Sequence, residues 1–78
     1  MDAKQIGDLI QRGLPEASVQ VRGDDGVHFE AVIVSDAFAG KALLARHRLV
    51  YGILGDLVGG EIHALSLSTL TRAEAAES

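Results

Sequence analysis

Among 78 residues there is no cysteine and no tryptophan, and there are only two phenylalanines and one tyrosine. Without cysteine the chain can form no disulfide framework, no CxxC zinc or redox site and no thiolate nucleophile. Any thiolate in its chemistry has to come from a partner. No apolar run approaches the roughly 18 residues that span a bilayer, so no membrane helix is expected. The opening MDAKQIGD also lacks the basic-then-apolar layout of a secretory leader. A soluble, cytoplasmic protein is the expectation. A chain this short buries only about 60% of its unfolded surface, which excludes a two-domain enzyme and predicts one domain over residues 1–78. With 47% hydrophobic and 23% charged residues, that domain should fold by burial rather than remain disordered.

What is present reads as alternating helical and strand periods. From Asp2 to Leu14, Ile6, Leu9, Ile10 and Leu14 recur at helical spacing, Asp2 is available as an N-cap, and Gly13 and Pro15 close the segment. Ser18 to Arg22 alternates Val19 and Val21 with polar neighbours, the pattern of a short strand. Gly23-Asp24-Asp25-Gly26 signals a turn. Phe29 to Ser35 then reads FEAVIVS, a β-branched strand covered on at least one face and joined to the first as a hairpin. Leu43, His47, Val50, Tyr51, Leu54 and Val58 predict a helix over about Gly40 to Val58, with a bent entry at Phe38 and Gly40 and a stop at Gly59-Gly60. Ile62 to Leu70 predicts a third strand, and Thr71 to Ser78 one helical turn or a frayed tail. The order is α-β-β-α-β-(α), an α+β fold with a three-stranded sheet covered by helices.

Charge is unevenly placed. Residues 1–36 carry −4, residues 37–55 carry +3 and residues 56–78 carry −3. The predicted long helix is thus a basic island in an acidic protein. Lys41 and Arg48, seven residues apart, share nearly one azimuth, whereas Arg46 points about 200° from Arg48. Such a surface can be a solvated face, a dock for an acidic protein or a contact for phosphate backbone.

Enzyme chemistry finds little support. No serine or threonine sits in a nucleophile elbow, and the neighbouring Asp24 and Asp25 lie on a turn rather than at a catalytic separation. No catalytic residue is assigned. Three imidazoles remain: His28, His47 and His63. His47, flanked by Arg46 and Arg48 on the apolar stripe, reads as a partly buried, hydrogen-bonded structural residue. His63 begins the third strand and His28 ends the hairpin loop. If those strands are neighbours, both imidazoles lie at one edge of the sheet. An exposed pair and an incomplete metal site are both open on this pattern.

Val34-Ser35-Asp36-Ala37-Phe38-Ala39-Gly40-Lys41, then Leu43 to Tyr51 as LLARHRLVY, then Glu61-Ile62-His63-Ala64-Leu65-Ser66 together resemble the BolA family. The resemblance covers about residues 3–74 and is closest to the histidine-bearing, YrbA-like branch. It implies a class II KH-like fold. It also implies heterodimers with monothiol, CGFS-type glutaredoxins that bridge a 2Fe-2S cluster, for iron-sulfur assembly, trafficking or sensing. In that reading His63 matches the family's C-terminal histidine ligand, and His28 is the residue able to match the ligand before the second strand. Thiolates would come from the glutaredoxin and its glutathione, and the isolated chain, monomer or homodimer, would carry no cluster. Histidine in place of thiolate tends to raise a cluster's potential and makes binding depend on imidazole deprotonation. At its end the chain departs from the family, with Thr71-Arg72-Ala73-Glu74 where Thr-Pro-x-Glu-Trp is usual.

Members of the family are also described as transcriptional regulators and stress-response morphogens, which makes DNA binding the rival reading. Lys41, Arg46 and Arg48 would then contact phosphate. Net charge of −4 and the lack of aromatic residues for base stacking weigh against it.

Overall fold

The computed structural model describes residues 1–77. Helix α1 (Ala3–Gly13) starts at a capping box: the Asp2 carboxylate accepts the Gln5 N–H at 2.8 Å, and the Asp2 N–H donates to the Gln5 side chain at 2.9 Å. Its stripe of Ile6, Ile10 and the following Leu14 is buried. The Gln11 amide then closes the exit by donating to the carbonyls of Leu14 and Ala17.

Strand β1 (Ser18–Arg22) pairs antiparallel with β2 (His28–Val34), and β3 (Ala64–Leu70) pairs parallel with β2 on its other side. The sheet order is β1-β2-β3. A parallel neighbour cannot be reached by a hairpin, so the chain crosses over through a helix, α2 (Leu43–Leu54). Along β2 burial alternates strictly. Phe29, Ala31 and Ile33 face α1 and α2, while His28, Glu30 and Val32 lie on an uncovered face. The core of Ile6, Ile10, Ile33, Phe38, Val50 and Ile62 has essentially no exposure, and burial of side chains this size is worth roughly 1.5–3 kcal/mol each.

Several boundaries differ from the sequence expectation. β2 begins at His28, not Phe29, so that histidine belongs to the ladder instead of the loop. β3 begins at Ala64, not Ile62, which makes an isolated bridge to Val58. The long helix is shorter at both ends. It opens at Leu43, after a 3-10 turn (Asp36–Phe38) that drives Phe38 into the core. It closes at Gly55, whose φ of 60° ends the helical path four residues before Gly59. The stripe is rotated as well: Val50 and Leu54 are buried, but Leu43 is 63% exposed and Tyr51 38%. The face turned inward runs through Arg46, Val50, Ile53 and Leu54 because both α1 and the sheet pack against it.

The tail is a third helix, α3 (Arg72–Glu77), and a polar clamp holds it. Thr71 and Glu74 form a capping box of their own, with the Glu74 N–H donating to Thr71 Oγ1 at 3.1 Å and the Thr71 N–H donating to Glu74 Oε1 at 2.8 Å. The Arg46 guanidinium, 12% exposed, reaches across from α2 to both Glu74 oxygens, at 2.6 and 3.2 Å. It also donates to the carbonyls of Lys41 and Thr69 and lies 6.0 Å from the centre of the Phe38 ring. Beside it Glu16 accepts from the buried Ser35 hydroxyl at 2.7 Å and from the Asp36 N–H, while Arg72 donates to the Glu16 carbonyl.

Two expectations follow. A β-carbon on Gly13 would lie 2.7 Å from side-chain carbons of Ile53, where α1 meets α2. Gly13→Ala should therefore destabilise by about 1–3 kcal/mol through overpacking, whereas at an open helical site it would stabilise by up to about 1 kcal/mol. Chemical denaturation checks the sign, and the penalty should vanish in an Ile53→Ala background. The second concerns acid. The Arg46 guanidinium first, and the Thr71 N–H next, hold Glu74 down at about 2 against an ordinary 4.5. A lowered carboxylate stabilises the fold fully above 4.5, and this contribution is lost as pH falls toward about 2, because the unfolded chain takes up the proton first. Urea unfolding across that window should show Glu74→Gln less stable near neutrality and less sensitive to acid. An unchanged pH profile would remove the clamp from acid unfolding.

Candidate functional site

The parallel ladder sets His28 opposite Ala64, so the two histidines at chain positions 35 residues apart stand one register step from each other at the same end of adjacent strands. Each is exposed, and each is fixed from behind by a buried neighbour. His28 precedes Phe29 in β2, and His63 stands between buried Ile62 and the first residue of β3. A ring anchored by backbone on both sides is aimed at low entropic cost. His28 belongs to the uncovered face of the sheet and His63 lies just before the first residue of β3, so the two reach the same end of the sheet from different positions on it. A surface cleft of about 750 Å³ opens beside His28, lined by Arg22, Asp25, His28, Glu30, Ala64 and Ser66. His63 lies outside its lining.

The hairpin loop is closed by Asp25. Its Oδ1 accepts the N–H groups of Val27 and His28 at 2.9 and 2.8 Å, and its Oδ2 lies 2.8 Å from His28 Nδ1. The imidazole contact first, and the two backbone bonds next, hold this carboxyl well below the usual carboxylate range. Sequence reading placed Asp25 on the turn but gave it no role. The local signal was present, since an aspartate three residues before a histidine across a turn can bond both its own backbone and the ring. Among the described residues no group of three or more histidine, aspartate or glutamate side chains is arranged to hold a metal ion. Two neutral imidazoles fit a shared cluster as half of a ligand set.

The basic stretch is divided by the fold. Arg46, expected as a surface cation, is instead spent on Glu74, Thr69 and Lys41, so it is not a free contact for phosphate. Lys41 precedes α2 rather than lying on it, so it shares no helical azimuth with Arg48. Both of these side chains are exposed. His47 is partly buried as expected, with its ring edge-on to Tyr51 at 6.4 Å, but its Nε2 is buried without a hydrogen-bond partner.

With this geometry established, the chain can be placed among known proteins. The family model described as BolA-like protein matches residues 11–74, and the chain belongs to that family. The structure of a BolA protein homologue from Coxiella burnetii is 44% identical, with a TM-score of 0.86 over 97% of each chain. The mixed three-stranded sheet with its helices is the fold of these relatives. The chain is 55% identical over 53 residues to SufE-like protein 1, chloroplastic/mitochondrial, of Arabidopsis thaliana, which covers 67% of this chain and 14% of that protein. It is 46% identical over 44 residues to the DNA-binding transcriptional regulator BolA of Escherichia coli, covering 56% of this chain and 42% of that one. The chain thus spans less than half the length of these two curated relatives. No described helix is long and apolar enough to cross a membrane.

Proposed function

We propose that this domain is the partner of a monothiol CGFS-type glutaredoxin and contributes His63 and His28 to a bridging 2Fe-2S cluster, acting in transfer, maturation or sensing rather than in turnover. The β2–β3 register carries the reading: it gathers two exposed imidazoles at one end of the sheet, off which a second protein can supply the rest. A two-iron cluster commonly takes four ligands. This cysteine-free chain offers at most two, so the glutaredoxin and its bound glutathione supply thiolates. The protein's own work is to hold two neutral nitrogens in place, His63 by buried Ile62 and the start of β3, and His28 by the ladder and Asp25. Anaerobic reconstitution of the pair, followed by absorption spectroscopy and iron analysis, tests this. His63→Ala should abolish or shift the cluster absorption. A colourless, non-associating mixture, or a spectrum indifferent to that substitution, overturns the reading.

A second reading, DNA binding, is favoured by the exposed Lys41 and Arg48 and by the function that the Escherichia coli relative's name states. With Arg46 occupied, two phosphate contacts would give a salt slope of only about −1.8. Duplex binding that survives moderate salt and is lost in Arg48→Ala would favour this reading over the cluster.

A further inference from the structure

We infer that Asp25 is a positioning residue that fixes the tautomer of His28, so that Nε2 is the nitrogen offered to iron. The inference rests on the ligand reading above. Three contacts define the aspartate: Oδ1 is taken by the N–H groups of Val27 and His28, which leaves Oδ2 to face His28 Nδ1 at 2.8 Å. An ionised carboxylate can only accept, so Nδ1 must carry the hydrogen that it donates. In the neutral ring the lone pair then resides on Nε2. The His28 side chain is 75% exposed, which leaves that nitrogen open to an incoming ligand. A carboxylate on the far nitrogen of a metal-binding imidazole is a recurrent arrangement that fixes ring orientation and increases basicity. Among the described residues, His28 is the histidine whose ring contacts a carboxylate.

The pair is too exposed to matter much for stability, since surface ion pairs are worth little. Its effect is on which atom points outward. Asp25→Asn separates the two roles. The amide oxygen can still accept from Val27 and His28, so the turn survives, but the amide nitrogen now donates toward Nδ1. The neutral ring should answer by moving its hydrogen to Nε2, the nitrogen the cluster needs.

Two measurements test this. Long-range proton–nitrogen correlation spectra of the full chain, at a pH where His28 is neutral, should show the Nδ1–H form in the wild type and a majority Nε2–H form in Asp25→Asn. A wild-type ring in the Nε2–H form, or no change on substitution, overturns the inference and leaves the ligand reading intact. In the reconstituted heterodimer, pulsed paramagnetic resonance of the reduced cluster should show one of two histidine nitrogen couplings lost or shifted in Asp25→Asn, with the His63 coupling retained. A tautomer that reverses while both couplings stay unchanged would overturn the role of Asp25 in delivering Nε2 to iron.

Discussion

The parallel pairing of β2 with β3 is the constraint on which the rest of this domain depends. Adjacent parallel strands must be linked by a crossover, and the crossover is α2. The helix in turn covers one face of the sheet, and the core of Phe38, Val50 and Ile33 fills the space beneath it. The same pairing sorts the chemistry. Both strands begin at one end, where His28 and His63 stand, and both finish at the other, where Ser35 donates to the Leu70 carbonyl and the Glu16, Arg46 and Glu74 contacts close the structure. Seven residues of strand separate the two ends by roughly 20 Å. Binding at the histidine end therefore leaves the clamp and the neighbouring Lys41 untouched, and the two surfaces need not compete.

Where a signal was local, it was legible. The Asp2 cap, the Ile6–Ile10 spacing of α1, the alternation of β1 and the bent entry at Phe38 are each written within a few residues, and each appears in the fold. The end of α2 was misplaced because two glycine sites could stop it, and only the backbone at Gly55 shows which one does. The rotated stripe has a similar cause. Periodicity identifies an apolar face, but Leu43 and Tyr51 lie beyond the reach of α1 and the sheet, which the helix's own sequence does not reveal. The role of Arg46 could not be read locally either, since its partners Thr69 and Glu74 are 23 and 28 residues away. Half of that clamp is nevertheless local: Thr71 and Glu74 have capping-box spacing, a signal that was not assigned from the sequence.

The candidate ligands divide in the same way. The place of His63 at the foot of the third strand was legible because Ile62 before it packs and Ala64 after it pairs with β2. The placement of His28 beside it depended on a strand pairing that no local pattern fixes. Asp25 went unassigned because two adjacent carboxylates on a turn look solvated until the backbone folds one of them back on the loop.

That folded-back loop has a consequence for how such a domain diversifies. Residues 24–27 are exposed and are tied through Asp25 to Val27 and His28, while Gly23 at the foot of the loop packs on Phe29. The exposed tip of the loop can therefore exchange its donor atoms without repacking anything beneath the sheet, whereas a side chain on Gly23 would run into the buried Phe29 ring and displace it. The position of His63, wedged between Ile62 and the ladder, has no such freedom. One histidine is thus held by a surface loop and the other by the core.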